Sequence, residues 1–240
     1  MRDYSQPILA GRGATDYGRY MRVDDLLALQ RHPSEMVHRD ELLFQVVHQV
    51  TELWLKLACY DAAEAVDQMR AGDPALAEML LARAARVISL ITDELDMLRR
   101  LAPADFQLIR TVLGNGSGFE SPGWRRVQRT SRDLGNVFAD LLARRDVKLV
   151  DLYRGSPTQP LYRLAEALLD WDERISSWRV QHYQIATRTI GHNVVGTKGT
   201  PVDALAKLIS HHFFPALWQV RTELTETGPM AWDDSASCQR

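Results

Sequence analysis

Cysteine is almost missing from this chain: Cys59 and Cys238 are the only two, and neither stands in a CxxC pair. A disulfide framework and a cysteine-rich zinc site are thereby excluded. A charge excess of one sign is also missing. The 29 Lys+Arg against 31 Asp+Glu leave a formal net charge of −2, which does not suit a nucleic-acid binder held by bulk charge. No apolar run approaches the roughly 20 residues of a membrane span. The opening MRDYSQPILAGRG lacks the apolar stretch of a secretory signal. These absences lead to the expectation of a cytoplasmic protein with neither a membrane nor a nucleic-acid partner. Sustained two-residue alternation is absent as well, so no strand is expected. What is present is 45% apolar and 25% charged residues, the composition of a folded chain rather than a disordered one. Its length predicts one domain over residues 1–240.

The apolar residues recur with a helical period. Leu43, Val46, Val47, Val50, Leu53, Trp54 and Leu57 follow i, i+3, i+4, i+7 and predict a helix over 40–69. Gly72-Asp73-Pro74 ends it, and Pro74 suits the first turn of the next helix, 75–101. Pro103-Ala104-Asp105 starts a shorter helix, expected over 106–113, and a glycine-rich loop follows at 114–118. Further helices are expected at 122–144, 160–190, 202–211 and 215–226, with a loop at 191–200. Residues 23–30 read as a short helical run, residues 1–21 as an extended arm, and residues 228–240 as a flexible tail. The fold class is all-α: a bundle of long antiparallel helices.

Two of the seven histidines lie mid-helix among apolar residues. His48 follows Phe44 by one turn, on the same face. His182 follows Trp178-Arg179-Val180-Gln181. Singly, each reads as a hydrogen-bonded core histidine. Two of them on separate long helices of one bundle point to a metal or haem site, because bundle cores are where all-α proteins build such sites. A di-iron carboxylate centre needs two Glu-x-x-His motifs. Glu35-Met36-Val37-His38 supplies one, and no other histidine follows an acidic residue at that spacing. Arg110 is the one cation of the mostly apolar segment 106–113. It is either a surface arginine with a buried stem or a bidentate fork for a carboxylate. Gly116-Ser117-Gly118 lacks a preceding strand and a P-loop lysine, and reads as close backbone approach to a bulky ligand.

Several blocks together carry a resemblance. Residues 40–57, DELLFQVVHQVTELWLKL, resemble the signature helix DExLFxxxHQxxELWxK of the tryptophan 2,3-dioxygenases. The segment 17–27 is similar to the N-terminal YxxYLxLxxLL stretch of that family, and Phe106–Gly118 to its YxxFRxxLGxxSG block. His182, Arg188, Ile190 and Gly191 resemble its HxxxxxRxIG stretch, and 213–222 its FFPELxxxRT helix. The blocks run in order from about residue 17 to 224.

The resemblance implies a haem-dependent oxygenase that binds haem b and adds O2 across the C2–C3 bond of an indole. It implies His182 as the axial iron ligand, with Ser117 and Gly118 beside the haem. His48 would meet the indole N–H, Phe44 would pack on the indole, and Arg110 would take the substrate carboxylate. Tyr17, Tyr20 and Met21 match residues that a neighbouring subunit inserts, which implies a homo-oligomer, dimer or tetramer, with arm exchange. The expected substrate is a small aromatic amino acid, tryptophan or a derivative, with dioxygenation or monooxygenation both open. A haem-dependent tyrosine hydroxylase and a non-catalytic haem or ligand sensor are the alternatives.

The chain also departs from the pattern. The family's GTGGSSG loop reads Gly196-Thr197-Lys198-Gly199-Thr200-Pro201-Val202 here. Thr197 is the best match for the threonine that holds substrate, and Thr200 is the other candidate. Phe106 replaces a tyrosine, and the stretch between Phe119 and His182 is shorter. Both departures suit an altered substrate or outcome.

Overall fold

A computed structural model describes residues 6–196 and 198–228. Among them the named elements are all helical, and the one extended pairing is an isolated antiparallel bridge between Val195 and Pro201. Two short helices, α1 (Asp16–Met21) and α2 (Val23–Leu27), precede α3 (Glu41–Ala71). Then come α4 (Pro74–Glu94), α5 (Pro103–Arg110), α6 (Pro122–Arg144), α7 (Leu149–Arg154) and α8 (Pro160–Ile190), followed by α9 (Asp203–Ile209) and α10 (Pro215–Glu226).

The turn between α3 and α4 is dictated locally. Gly72 takes φ 86°, a left-handed conformation that glycine adopts without a Cβ penalty. Asp73 then caps α4, its carboxylate accepting from the N–H groups of Ala75 at 3.1 Å and Leu76 at 3.0 Å. The two helices can only run back along one another. Ala58, Ala62 and Ala65 on α3 and Ala77, Ala84 and Ala85 on α4 are buried, and their small side chains let the backbones approach. The buried Asp61 carboxylate of α3 takes the Nε of Arg83 on α4 at 2.6 Å.

The four long helices form a square in which α4 packs on α3 and on α8, and α6 packs on α3. Side chains close the fourth edge. Trp171 Nε1 of α8 donates to Ser131 Oγ of α6 at 2.9 Å, and the Trp124 and Trp178 rings meet at 4.0 Å. Helices α3 and α8 are therefore diagonal partners, and a side chain from each can face the middle of the bundle. The apolar core between the four contains Leu55, Met69, Leu81, Ile88, Leu134, Leu164, Leu168 and Trp171.

One close approach fixes α6 on α3. Glu52 of α3 accepts from Ser121 Oγ and, at 3.0 Å, from Gly123 N–H. A Cβ at Gly123 would stand 2.7 Å from Glu52 Oε2 and 2.7 Å from Leu55 Cδ1. Leu55 is fully buried and has no room to yield. Gly123→Ala is therefore expected to destabilise by about 1–3 kcal/mol, a fall of roughly 2–12 °C in Tm for a chain of this size. A thermal melt superimposing on wild type would show that α6 is free to shift.

Three expectations about elements need correction. The helix expected to run to residue 101 is α-helical only to Glu94, and Leu95–Arg100 continue as a 3₁₀ helix. Leu95 and Leu98 are both buried, and the tighter winding turns them inward together. The short helix expected over 106–113 is α5: Pro103-Ala104-Asp105, expected to start it, already form its first turn, and it ends at Arg110, three residues earlier than expected. The arm expected to be extended carries α1, capped by Thr15, whose Oγ1 accepts from Gly18 N–H at 3.1 Å. Asp16 and Arg19 fold the preceding residues onto it: Ile8 N–H donates to Asp16 Oδ1 at 2.9 Å, and Arg19 Nε donates to Gly13 O at 2.9 Å. Helix α7 had no counterpart in the sequence reading. The expected tail beyond Gly228 lies outside the described residues.

Candidate functional site

His48 comes from α3 and His182 from the diagonal α8. Burial holds the His182 imidazole far below its ordinary pKa, at about 4, and the nearby His48 adds to the depression. Burial likewise lowers His48, against an opposing hydrogen bond to the Phe44 carbonyl. Both rings are neutral near pH 7, and each carries one lone pair. His48 Nδ1 lies 2.7 Å from Phe44 O, an acceptor, so Nδ1 carries the proton. Nε2 is left as an acceptor. His48 keeps accessible surface although protein surrounds it, because it lines a hollow of about 400 Å³ with Leu26, Leu29, Gln49, Glu52 and Leu53.

Trp178 stacks on His182 with ring centres 4.7 Å apart and planes 10° apart. It precedes His182 by one turn of α8, so the two share a face. Its Nε1 is buried and makes no hydrogen bond. Beside these rings an apolar cluster joins Val47, Leu95, Leu98 and Ile185 with Leu43, Phe44 and Trp178.

These features fit the haem that the sequence resemblance implies. A haem needs a neutral imidazole with a free nitrogen, apolar walls for the macrocycle and donors at its edge. His182 offers the first, and the Leu95–Leu98–Ile185 side the second. An unsatisfied buried N–H is costly and calls for an acceptor, and Trp178 Nε1 is such a donor beside His182.

Helix α5 brings the remaining pieces. Phe106 lies 5.7 Å from Phe44, ring centre to ring centre, and Phe44 lies 4.2 Å from His48. One turn on, the half-buried Arg110 donates from Nη2 to Val195 O at 3.1 Å and from Nη1 to Gln107 Oε1 at 3.3 Å. Among the described residues no carboxylate pairs with it. Ser117 opens a 3₁₀ turn, Gly118–Glu120, and its N–H donates to Glu120 Oε2 at 3.0 Å. A Cβ at Gly118 would meet nothing within 4 Å, so the backbone there is open to a ligand rather than crowded by its own chain.

Phe44, His48 and Phe106 are thus linked into one aromatic group, with Arg110 at its α5 end, and His182, stacked on Trp178, is close enough for His48 to add to the depression of its pKa. Tyr17, Tyr20 and Met21 are not brought to it: they are 69%, 75% and 53% exposed and point away from their own chain. Thr197 lies outside the described residues. Thr200 is half-buried, and its carbonyl accepts from Gly196 N–H at 2.9 Å. Sequence reasoning did not single out Trp178 for a role or Glu120 as a partner of Lys198. The i−4 spacing of Trp178 from His182 could have revealed the first. Nothing in the sequence pairs residues as distant as 120 and 198.

The family model for tryptophan 2,3-dioxygenase matches residues 4–140. A tryptophan 2,3-dioxygenase of Caulobacter vibrioides is 31% identical over 87% of this chain and 98% of its own length. That of Shewanella woodyi is 30% identical over 87% and 90%, and that of Bacillus anthracis 29% identical over 87% and 92%. The likeness is spread over the whole bundle and includes both diagonal helices. With the all-α fold, the facing histidines and these relatives in agreement, the chain belongs to the tryptophan 2,3-dioxygenase family.

Proposed function

We propose that the whole chain is one haem-binding oxygenase domain that inserts O2-derived oxygen at the indole C2–C3 bond of L-tryptophan or a close derivative. The family is haem-dependent and its chemistry is dioxygenation. The observation that carries the reading for this chain is the pair of neutral imidazoles on diagonal helices, with an acid-free arginine across two phenylalanines from one of them.

Each residue has a definable task. His182 holds the haem iron through its free imidazole nitrogen. When bound, haem supplies the capture and activation of O2. His48 Nε2 accepts the indole N–H, since Nδ1 is committed to Phe44 O. Phe44 and Phe106 offer apolar faces to the indole and keep water from it. Arg110 forks the α-carboxylate through the donors that Val195 and Gln107 leave free. Ser117 and Gly118 line the haem edge, and Thr197 or Thr200 meets the amino-acid end. Orientation of the indole and exclusion of water are the protein's contribution to rate.

Product analysis in isotopically labelled O2 tests this directly. Haem-loaded protein is offered tryptophan, methylated tryptophans and tyrosine, with ascorbate as reductant. A ring-opened product bearing two labelled oxygen atoms, one on each carbon of the cleaved C2–C3 bond, is expected. One labelled atom would make the chain a monooxygenase of the same substrate class. Hydroxylation of tyrosine with every indole untouched would overturn the reading, and no turnover of any of them would favour a sensor.

The arm belongs to the same proposal. Tyr17, Tyr20 and Met21 project into solvent, and α3 exposes an apolar stripe of Leu42, Val46, Leu53, Leu57 and Tyr60 along one face. Both observations support a homo-oligomer in which each arm completes a neighbour's site. Deleting residues 1–21 is expected to weaken substrate binding more than haem binding. A monomer in sedimentation with full activity would defeat the arm exchange.

A further inference from the structure

The described residues 194–196 and 198–202 form a narrow flap between the end of α5 and the turn at Gly118–Glu120. Its backbone is cross-bonded: Gly196 N–H donates to Thr200 O at 2.9 Å, Gly199 N–H to Gly196 O at 3.0 Å, and Val202 N–H to Val194 O at 3.0 Å. Two side-chain links tie the flap down. Near its base, Val195 O accepts from Arg110 Nη2 at 3.1 Å. At its tip, Lys198 Nζ pairs with Glu120 Oε1, while Glu120 Oε2 holds Ser117 N–H at 3.0 Å. The Glu120 carboxylate thus joins the flap to the turn that Ser117 caps. Lys198 and Ser117 together hold it below the usual carboxylate range, so it is charged near neutral pH.

A guanidinium has five N–H donors. Val195 O and Gln107 Oε1 engage one hydrogen each on Nη2 and Nη1. The others remain for a bidentate carboxylate. The Val195 carbonyl therefore aims the arginine without occupying it, and its own position depends on where the flap sits.

We infer that Lys198 and Glu120 are positioning residues for substrate recognition: their ion pair straps the flap so that Val195 O holds Arg110 in register for an amino-acid carboxylate. The inference rests on the reading of Arg110 as the carboxylate fork. Lys198 is one of the residues by which this loop departs from the GTGGSSG pattern, with Thr200, Pro201 and Val202, so the strap goes with a departure of this chain. An exposed ion pair shifts a local equilibrium by at most about fivefold. A short flap opens independently of the bundle, so a shift of that size is enough to change the fraction of molecules competent to bind.

The test uses the haem-loaded full chain with Lys198→Glu, neutral Lys198→Gln, and the swap Lys198→Glu/Glu120→Lys. The first readout needs no substrate: hydrogen exchange at the Gly196, Gly199 and Val202 amides. Exchange should accelerate in both single variants and slow again in the swap. The second readout is kinetic. Lys198→Glu should raise KM for tryptophan about twofold to fivefold with kcat changed by less than about twofold, and leave KM for a carboxylate-free indole unchanged. Raising the salt concentration should move wild type the same way and leave Lys198→Gln unmoved. Unchanged flap exchange in Lys198→Glu would overturn the strap. Faster exchange with unchanged tryptophan KM would overturn its action on Arg110. If Arg110→Ala itself left tryptophan binding untouched, the carboxylate reading would fail and the positioning role with it, and exchange would still report the strap separately.

Discussion

His182→Ala protein is expected to purify folded and without stably bound haem. The substitution removes the proposed axial imidazole and nothing else of comparable weight, because among the described residues the ring makes no hydrogen bond and its packing partner, Trp178, is also held by Trp124. Even partners that only orient a ligand cost 10–100-fold in metal affinity when lost. Loss of the ligand itself should exceed about 100-fold. Haem content after desalting and the visible spectrum are the measurements, with circular dichroism as the check on folding. His48→Ala is the informative control. Its Nδ1 is engaged by Phe44 O and its Nε2 is assigned to substrate, so this variant should keep haem and lose indole turnover. A wild-type haem content and an unchanged five-coordinate histidine spectrum in His182→Ala would show that the ligand lies elsewhere, with His48 the first candidate.

The second large effect is expected at Arg110. A substrate carboxylate beside haem leaves water, and Arg110, at the α5 end of the aromatic group with donors left free, is the cation proposed to receive it. Its guanidinium is half-buried and without an acidic neighbour, and its hydrogen bonds go to neutral acceptors. Phe106, one turn before it, has no hydroxyl to share the load. Breaking one side of a buried charge pair costs about 3–5 kcal/mol, which at about 1.4 kcal/mol per decade is a hundredfold or more in affinity. Arg110→Ala should weaken tryptophan binding by that factor and leave a carboxylate-free indole bound as before. Arg110→Lys should recover only part, since an ammonium cannot reproduce the fork or reach Val195 O in the same plane. If wild type turned over carboxylate-free indoles as efficiently as tryptophan, and Arg110→Ala changed neither, the protein would be a simple-indole oxygenase.

The long helices were readable because their signals are local. The apolar recurrence of Leu43, Val47, Val50 and Trp54, the stop at Gly72 and the cap at Asp73 act within a few residues of one another. Helix α7 was not readable: six residues give less than two turns of period, and its stability comes from packing Leu152 into the core. The switch to 3₁₀ winding at Leu95 was hidden for the same reason, since it answers to the burial of Leu95 and Leu98 against α3 and α8. Tertiary demands of this kind move the boundaries of short elements and the last turns of long ones, as at the end of α4.

The same division runs through the candidate site. Residue types and spacings named His48, Phe44, Arg110 and His182, because imidazoles within apolar helical stretches and an arginine on an apolar helix are anomalies visible along the chain. Distance across the bundle was not written there. That α3 and α8 stand diagonal, that burial holds both imidazoles neutral, and that Trp178 Nε1 is left without an acceptor follow from how four helices pack. So does the contact of Lys198 with Glu120, which joins residues 78 positions apart through a loop whose course no local pattern specifies. Local chemistry decides which segments wind and which side chains are out of place in them. Only packing, by setting dielectric, distance and direction, decides what those side chains can do.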